Sequence, residues 1–401
     1  MKCRICSNEA IEVLNLGNTP PANSLLNTVN DLQDEFPLIL EYCPKCHNLQ
    51  LRDCLDATDL YKNYLYVTPD SNMLKSHYKY LCDYLHSCKY ISEESFVVEV
   101  GSNIGYFLSF IENSVSKVLG IDPAENICKM AEKNGIQTVC DFFNQNSAKK
   151  IKENIGTPDV IIARHCFAHN ASPHELMKGV VELLPQNGKL VVENAYALNT
   201  VENNEFDQIY HEHMFYYSIR SMSTLLEIHN LVLIDVLISL VHGGSIIFVA
   251  EHRSQNNKIS ESVSQYLTRE EFTLNTKALK SFAGKAFEIR NYLKVMVNEL
   301  KSDNKTIYTY GATAKGNTLL NFVGLTSKEI QFCIDNTPIK QGKFLPKSQI
   351  KIISEEEGLS HPPDYFLLTA WNYKDEIIKK VREAGNYHSK FIIPFPSVHI
   401  V

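Results

Sequence analysis

Phe96-Val97-Val98-Glu99-Val100-Gly101-Ser102-Asn103-Ile104-Gly105 is the stretch on which the reading of this chain turns. A run rich in β-branched residues reads as a buried strand, the two glycines as a turn, and the residues from Tyr106 onward as a helix. With no Cβ at Gly101 or Gly105, a ligand can approach the backbone beside a helix N-terminus. Similar apolar runs follow at 117–121, 160–163, 189–193 and 245–250, separated by helix-sized stretches. Strands alternating with helices predict a mostly parallel sheet, so residues 69–253 are expected to form an α/β domain.

The acids downstream of the turn suggest its ligand. Asp122 ends the second strand, seventeen residues after Gly105, where a carboxylate can accept hydrogen bonds from both hydroxyls of a ribose. A third strand, 136–140, runs into Asp141-Phe142-Phe143, suited to the exocyclic amine and the face of an adenine. Gly101 and Gly105 match the outer glycines of the motif used by class I S-adenosylmethionine (SAM) methyltransferases, with Asn103 where a middle glycine is common. A nicotinamide-binding domain is the rival; it prefers the complete G-x-G-x-x-G. The acid inside the first strand, Glu99, favours SAM, whose sulfonium and amino groups are cationic. Glu99, Gly101, Asn103, Gly105, Asp122, Asp141 and Phe142 are the expected cofactor contacts of a Rossmann-like domain.

Ahead of this domain, residues 1–68 carry Cys3-x-x-Cys6 and Cys43-x-x-Cys46. Each pair sets two thiolates on one tight turn, and two such turns supply the four tetrahedral ligands of a structural zinc. Four thiolates close the coordination shell and leave no position open for catalysis. The 36 residues between the pairs exceed the usual ribbon spacing of about 15–20 and must form an excursion. The seven other cysteines are scattered singly, as in a reduced cytoplasmic protein and unlike a disulfide framework.

The composition excludes other classes. The chain has 401 residues, 44% of them hydrophobic and 21% charged, enough for several cored domains. Acidic residues outnumber basic ones by 46 to 39, which disfavours nucleic acid as a partner. No signal peptide and no membrane-length apolar run is evident, so a cytoplasmic location without membrane attachment is expected, as a monomer or small homo-oligomer. Beyond 253, a polar helix-compatible segment to about 302 precedes four strand candidates (306–310, 330–335, 365–370 and 390–394), predicting a second α/β domain over 254–401.

Reactive side chains concentrate in Tyr210-His211-Glu212-His213. An imidazole titrates nearest neutrality, and a neighbouring carboxylate can orient it or share its proton, which suits proton abstraction beside a carbonyl. In an extended segment His211 and His213 share a face; in a turn all three groups converge. A metal site and a solvated turn are the alternatives, and His-x-His alone supplies only two ligands. His169 follows the fourth strand of the α/β domain, where open sheets bind ligands. His242, in Val241-His242-Gly243-Gly244-Ser245, sits in either a hairpin turn or a substrate contact. Tyr64-Leu65-Tyr66 precedes the cofactor domain. In Thr309-Tyr310-Gly311-Ala312-Thr313-Ala314-Lys315-Gly316, Lys315 beside a helix N-terminus reads as a diphosphate cradle without Walker spacing.

In this order the motifs resemble the nucleotide-sugar C-methyltransferases, and most nearly the 3-C-methyltransferases of nucleotide-linked 4-keto-6-deoxy sugars. The similarity spans nearly the whole chain and includes Asp335-Asn336-Thr337-Pro338 and Lys340-Gln341-Gly342. It implies a zinc-binding module, a central SAM domain and a C-terminal domain that closes over the sugar nucleotide. Carried over by motif, Tyr66, His169, Tyr210, Glu212 and His213 match the family's active-site group. Departures are Val67-Thr68 after Tyr66, Ile104 in place of an Asp, and Asn194-Ala195 where a proline is usual. The implied reaction has His213, assisted by Glu212, remove a C3 proton so that the enolate attacks the SAM methyl. A sugar O-methyltransferase and a zinc-ribbon RNA methyltransferase or RNA binder are the rivals. The four-thiolate reading has its own check: a metal assay on purified protein should find one tightly held zinc per chain, and finding none would remove it.

Overall fold

The computed structural model describes residues 1–56, 67–68, 71–239 and 244–401, and their apolar runs collect into three sheets. The first is antiparallel: β1 (Ile11–Thr19), β2 (Phe36–Tyr42) and β3 (Leu49–Leu51), completed by a distant strand, β9 (Phe215–Tyr216). Leu49 pairs with Tyr216 and Gln50 with Phe215, and the Leu51 N–H reaches the Met214 carbonyl at 2.9 Å. Within the excursion between the cysteine pairs, β1 and β2 pair as a β-ribbon, and residues 20–35 between them form a long irregular tip. The sheet that starts within residues 1–68 takes its last strand from the His-Glu-His segment.

Both cysteine pairs sit in the same kind of turn. The Ser7 and His47 N–H groups bond back to the Cys3 and Cys43 carbonyls, each at 2.9 Å, with φ of 59° and 57° at the bonding residue. All four sulfurs lie within 4.8 Å of one another; Cys3 is 3.6 Å from Cys46, and Cys6 is 3.5 Å from Cys43. Zinc–thiolate bonds of about 2.3 Å in a tetrahedron require sulfurs about 3.8 Å apart, so donor set and spacing fit a closed zinc site.

The second sheet contains β4 (Phe96–Val100), β5 (Lys117–Asp122), β6 (Thr138–Cys140), β7 (Val160–Arg164), β8 (Lys189–Ala195), β10 (Leu231–Ser239) and β11 (Ser245–His252). Its order is β10-β11-β8-β7-β4-β5-β6, with β6 to β8 parallel and the last two antiparallel, a mixed Rossmann-like sheet. Every residue of β4 is buried, because helices cover both faces: Val98, Ile161 and Leu190 pack on one, Val97, Ile162 and Val191 on the other. Chain progression reverses at β4, opening a crevice at the strands' carboxyl ends. There Gly101 has φ 68°, and a Cβ on it would stand 2.6 Å from the Cys166 Cβ. The loops after β4 and β7 can meet only because residue 101 has no side chain.

The third sheet, from β12 (Ile307–Tyr310), β13 (Phe332–Ile334), β14 (Lys351–Ile353), β15 (Tyr365–Leu368), β16 (Lys390–Ile393) and β17 (His399–Ile400), runs β14-β13-β12-β15-β16-β17. It is parallel except at β17, and its order reverses between β12 and β15. The two edge strands β14 and β17 were not expected from the apolar pattern; they are only three and two residues long. Between the second and third sheets lie the helices Glu261–Thr273 and Thr276–Ser302, started by the side chains of Ser260 and Asn275. The longer one spans about 40 Å and buries Leu279, Phe282, Ala286, Ile289, Leu293 and Val297 along a single stripe. Among the described residues, no helix is long and apolar enough to cross a membrane.

Because β9 pairs with β3 just beyond the second cysteine turn, withdrawing the metal should loosen the His-Glu-His segment. Stripping zinc with a strong chelator is expected to raise hydrogen exchange at residues 214–216 at least tenfold. Exchange that stays at the holo rate would make the pairing independent of the metal.

Candidate active site

A cavity of about 550 Å³ lies where the carboxyl ends of the second and third sheets face each other. Its wall includes cofactor-motif residues on one side, the C-terminal loop residues Thr313 and Lys315 on the other, and His169, Tyr210, Glu212 and His213 between them.

On the first side, Asp122 is 7% exposed and receives the backbone N–H groups of Asn103 and Ala124, both at 3.0 Å. Burial raises its pKa despite these bonds. Asn103 takes φ 50°, a conformation Asn tolerates better than most residues, which explains how it replaces a glycine here. Its Oδ1 accepts from the N–H and the hydroxyl of Thr68, each at 3.0 Å. The Ser102 Oγ is buried against Gly120, where a Cβ would clash with it, and meets no hydrogen-bond partner among the described residues. Asp141 and the 40% exposed Phe142 complete this wall. A glycine approach, an acid at the end of β5 and an exposed aromatic face fit SAM.

Two expected cofactor contacts stand elsewhere. Glu99 is fully buried and absent from the cavity wall; its Oε1 takes the Arg164 guanidinium at 2.8 and 2.9 Å. Burial would cost a lone carboxylate too much, so it pairs with a cation, and it is Arg164 that reaches the cavity. That guanidinium also stacks on Tyr78 and Phe107, 4.5 and 4.4 Å from their ring centres. Gly105 also lies behind the wall: with φ 75°, it starts the helix Tyr106–Ile111, and a Cβ there would sit 2.8 Å from Ile136. Its role is packing.

The His-Glu-His segment is a turn, closed by the His213 N–H on the Tyr210 carbonyl at 2.9 Å. It does not converge all three groups, because His211 is turned away and packs edge-on to Phe36 in the first sheet. Glu212 and His213 face the cavity. His213 Nδ1 lies 3.2 Å from the Gln208 carbonyl, which can only accept, so Nδ1 carries the proton. Nε2 is then the basic nitrogen and accepts the Tyr210 hydroxyl at 2.6 Å. Burial, with His169, Lys315 and His165 nearby, holds the His213 imidazole well below its ordinary pKa. The His169 ring is centred 5.0 Å from it, and burial brings its pKa down to about 4. Glu212 is 4% exposed; its Oε1 takes the Asn23 amide at 2.9 Å, and burial pushes its pKa up.

Opposite, the helix Ala314–Val323 points its N-terminus at the cavity, capped by the Thr313 hydroxyl on the Gly316 N–H at 2.9 Å. Lys315 lies 5.4 Å from the centre of Trp371, whose indole N–H is held by Asp207 at 2.7 Å. Lys340, bonded to the Ala312 carbonyl at 2.8 Å, adds a second cation to the wall. The arrangement can hold an anion.

Of the expected site residues, Tyr66 and His242 lie outside the described residues. Sequence reading assigned no role to Asn23, Gln208, Lys340, Asn372 or Tyr373, all on the cavity wall. Lys340 lies inside the Lys340-Gln341-Gly342 motif, whereas Gln208 orients His213 through its backbone, which no side-chain pattern reveals.

Compared with known proteins, the chain matches three family models in succession: a zinc binding domain over residues 3–61, a methyltransferase domain over 73–236, and a C-methyltransferase C-terminal domain over 240–396. It is 35% identical over 405 aligned positions to C-methyltransferase NovU of Streptomyces niveus, covering 100% of this chain and 96% of that one. Among solved structures, a SAM-dependent methyltransferase from Anabaena variabilis aligns with 48% of this chain and 89% of its own, at 16% identity and a TM-score of 0.38. Magnesium protoporphyrin IX methyltransferase from Synechocystis aligns over 47% and 88%, at 11% identity and a TM-score of 0.35.

The titration of the site follows from its burial. The native state resists protonating His169 and His213, whereas the unfolded chain takes up these protons near pH 6.5, so stability falls progressively as pH drops from that value to the folded-state pKa, about 4 for His169. Histidine NMR on the folded protein should show His169 titrating near 4 and His213 well below 6.5. An ordinary value for either would mean a water-filled site.

Proposed function

Because the chain belongs to the SAM-dependent C-methyltransferases, as its full-length 35% match and its family models establish, we propose that its acceptor is a nucleotide-linked 4-keto deoxy sugar, methylated at C3. The observation that carries this reading is the fixed tautomer of His213, whose basic Nε2 shares one cavity with the glycine turn and with a cationic helix end.

The wall divides the labour. Asp122 takes the ribose hydroxyls of SAM, Asp141 and Phe142 the adenine, and Arg164, in place of Glu99, the methionyl carboxylate. Lys315, Lys340 and the N-terminus of Ala314–Val323 take the diphosphate of the acceptor, whose negative charge suits a helix N-terminus. The sugar then lies between, against His169, Tyr210, Glu212 and His213.

A ketone at C4 acidifies the C3 hydrogen. The Nε2 of His213 removes that proton, and the electron pair of the C–H bond moves into the enolate. Before that step the Tyr210 hydroxyl turns from Nε2 to the carbonyl oxygen, which frees the Nε2 lone pair for the proton and stabilises the enolate as it forms. SAM supplies the electrophilic methyl group; C3 takes it, and neutral S-adenosylhomocysteine leaves. Glu212 stabilises the imidazolium and holds a sugar hydroxyl. The depressed pKa keeps His213 neutral at physiological pH, the state a base requires.

Deuterium exchange tests the reading. Incubated with a nucleotide 4-keto sugar in D₂O and no methyl donor, the enzyme should wash deuterium into C3. Methyl transfer without such exchange would count against a free enolate. His213→Ala should lower methyl transfer about 10²–10⁴-fold, and full activity in that variant would assign the base elsewhere.

A further inference from the structure

We propose that Asn23, supplied by the N-terminal module, is a positioning residue that aims the Glu212 carboxylate at a hydroxyl of the acceptor. The inference rests on the functional reading above. It begins with the tip of the β1–β2 excursion, Thr19-Pro20-Pro21-Ala22-Asn23-Ser24, a stretch that zinc binding does not use.

Two consecutive prolines cannot continue the ladder, since each lacks an N–H and fixes φ, so the chain leaves the sheet at Thr19. It is then caught by another domain. Asn317 donates its amide to the Ala22 carbonyl at 2.7 Å, and Asn321 donates to the Thr19 hydroxyl at 2.9 Å. Both asparagines sit on the helix whose first turn carries Lys315. Within the tip, the Ser24 N–H reaches the Pro21 carbonyl at 3.0 Å and the Leu25 N–H reaches Asn23 at 2.9 Å. Asn23 is thus held at the cavity rim by bonds on both sides of it.

Its amide donates to Glu212 Oε1 at 2.9 Å. The other oxygen, Oε2, is buried and meets no hydrogen-bond partner among the described residues. A buried carboxylate oxygen without a donor is costly unless a ligand supplies one. Tethering Oε1 selects the side-chain rotation that leaves Oε2 for that ligand, and on this cavity wall the fitting donor is a hydroxyl. The structural module therefore completes the reacting site.

The test uses the zinc-loaded, full-length enzyme. Asn23→Asp, which keeps the shape but removes the donor, and Asn23→Ala should each lower kcat about 10- to 100-fold, while the KM for SAM stays within about twofold. In a Glu212→Gln background, Asn23→Ala should cost less than about twofold more, because its effect passes through that carboxylate. Wild-type kcat in Asn23→Asp, or fully additive losses in the pair, would overturn the inference. A readout without turnover is the crystal structure of Asn23→Ala, in which the Glu212 carboxylate should have rotated; an unmoved carboxylate overturns the inference too. If wild-type enzyme turned over no nucleotide 4-keto sugar, the functional reading would fail, and the crystal structure would still decide the tether.

Discussion

The carbonyl of Gln208 decides which nitrogen of His213 is basic, and the chemistry of the site depends on that choice. It accepts from His213 Nδ1 at 3.2 Å and from the Tyr216 hydroxyl at 2.8 Å, so both of its lone pairs are engaged by residues that follow it in sequence. Tyr216 lies on β9, and β9 pairs with β3 of the zinc sheet. A line of backbone constraint therefore runs from four thiolates through two short strands to the tautomer of one imidazole. A closed zinc site more than 160 residues away in sequence thus bears on the tautomer of His213 without touching it.

Burial sets a conflict inside this site. Desolvation keeps His213 neutral but also makes it a poor acceptor, and Lys315 and His169 depress it further. On the proposed reading the acceptor itself eases the conflict. Its diphosphate offsets the Lys315 charge, and the developing enolate lies beside the developing imidazolium. Base strength then rises only when the acceptor is bound, which protects the empty site from protonation.

Much of the architecture was legible because it is written in local pattern. The run at 96–100, the glycine at 101 and the acids at 122 and 141 each report on their own strand or loop, and the cavity wall carries Gly101, Asp122 and Asp141 as the spacing implies. Glu99 misled because spacing gives a residue's position along a strand and not the face toward which it turns. On that face Arg164, from the neighbouring parallel strand, was within reach. His211 and His213 parted for a related reason: the turn at Tyr210 replaced the period of two that would have placed them together. Asn23, Gln208 and β9 were illegible because their partners lie more than 160 residues away or act through the main chain. No pattern within a segment encodes such pairings.

Two mostly parallel sheets that each reverse strand order produce two crevices, and here the crevices open onto one cavity. On the proposed reading, each of two large ligands is then held by loops of its own sheet. This arrangement leaves the reacting groups without a sheet to stand on. The segment that bears Tyr210, Glu212 and His213 is a turn between the single-turn helix Phe206–Gln208 and a two-residue strand, too little regular structure to hold a base to the tolerance that proton transfer demands. Neighbours remove that weakness from outside: β3 of the first sheet holds Met214 to Tyr216, Asn23 at the tip of the β1–β2 excursion holds Glu212, and Thr318 on the helix Ala314–Val323 holds the Ile209 carbonyl at 3.2 Å. Rigidity at the reacting centre is thus borrowed from neighbours on each side, so a change that loosens any one of them reaches the chemistry without altering a reacting group.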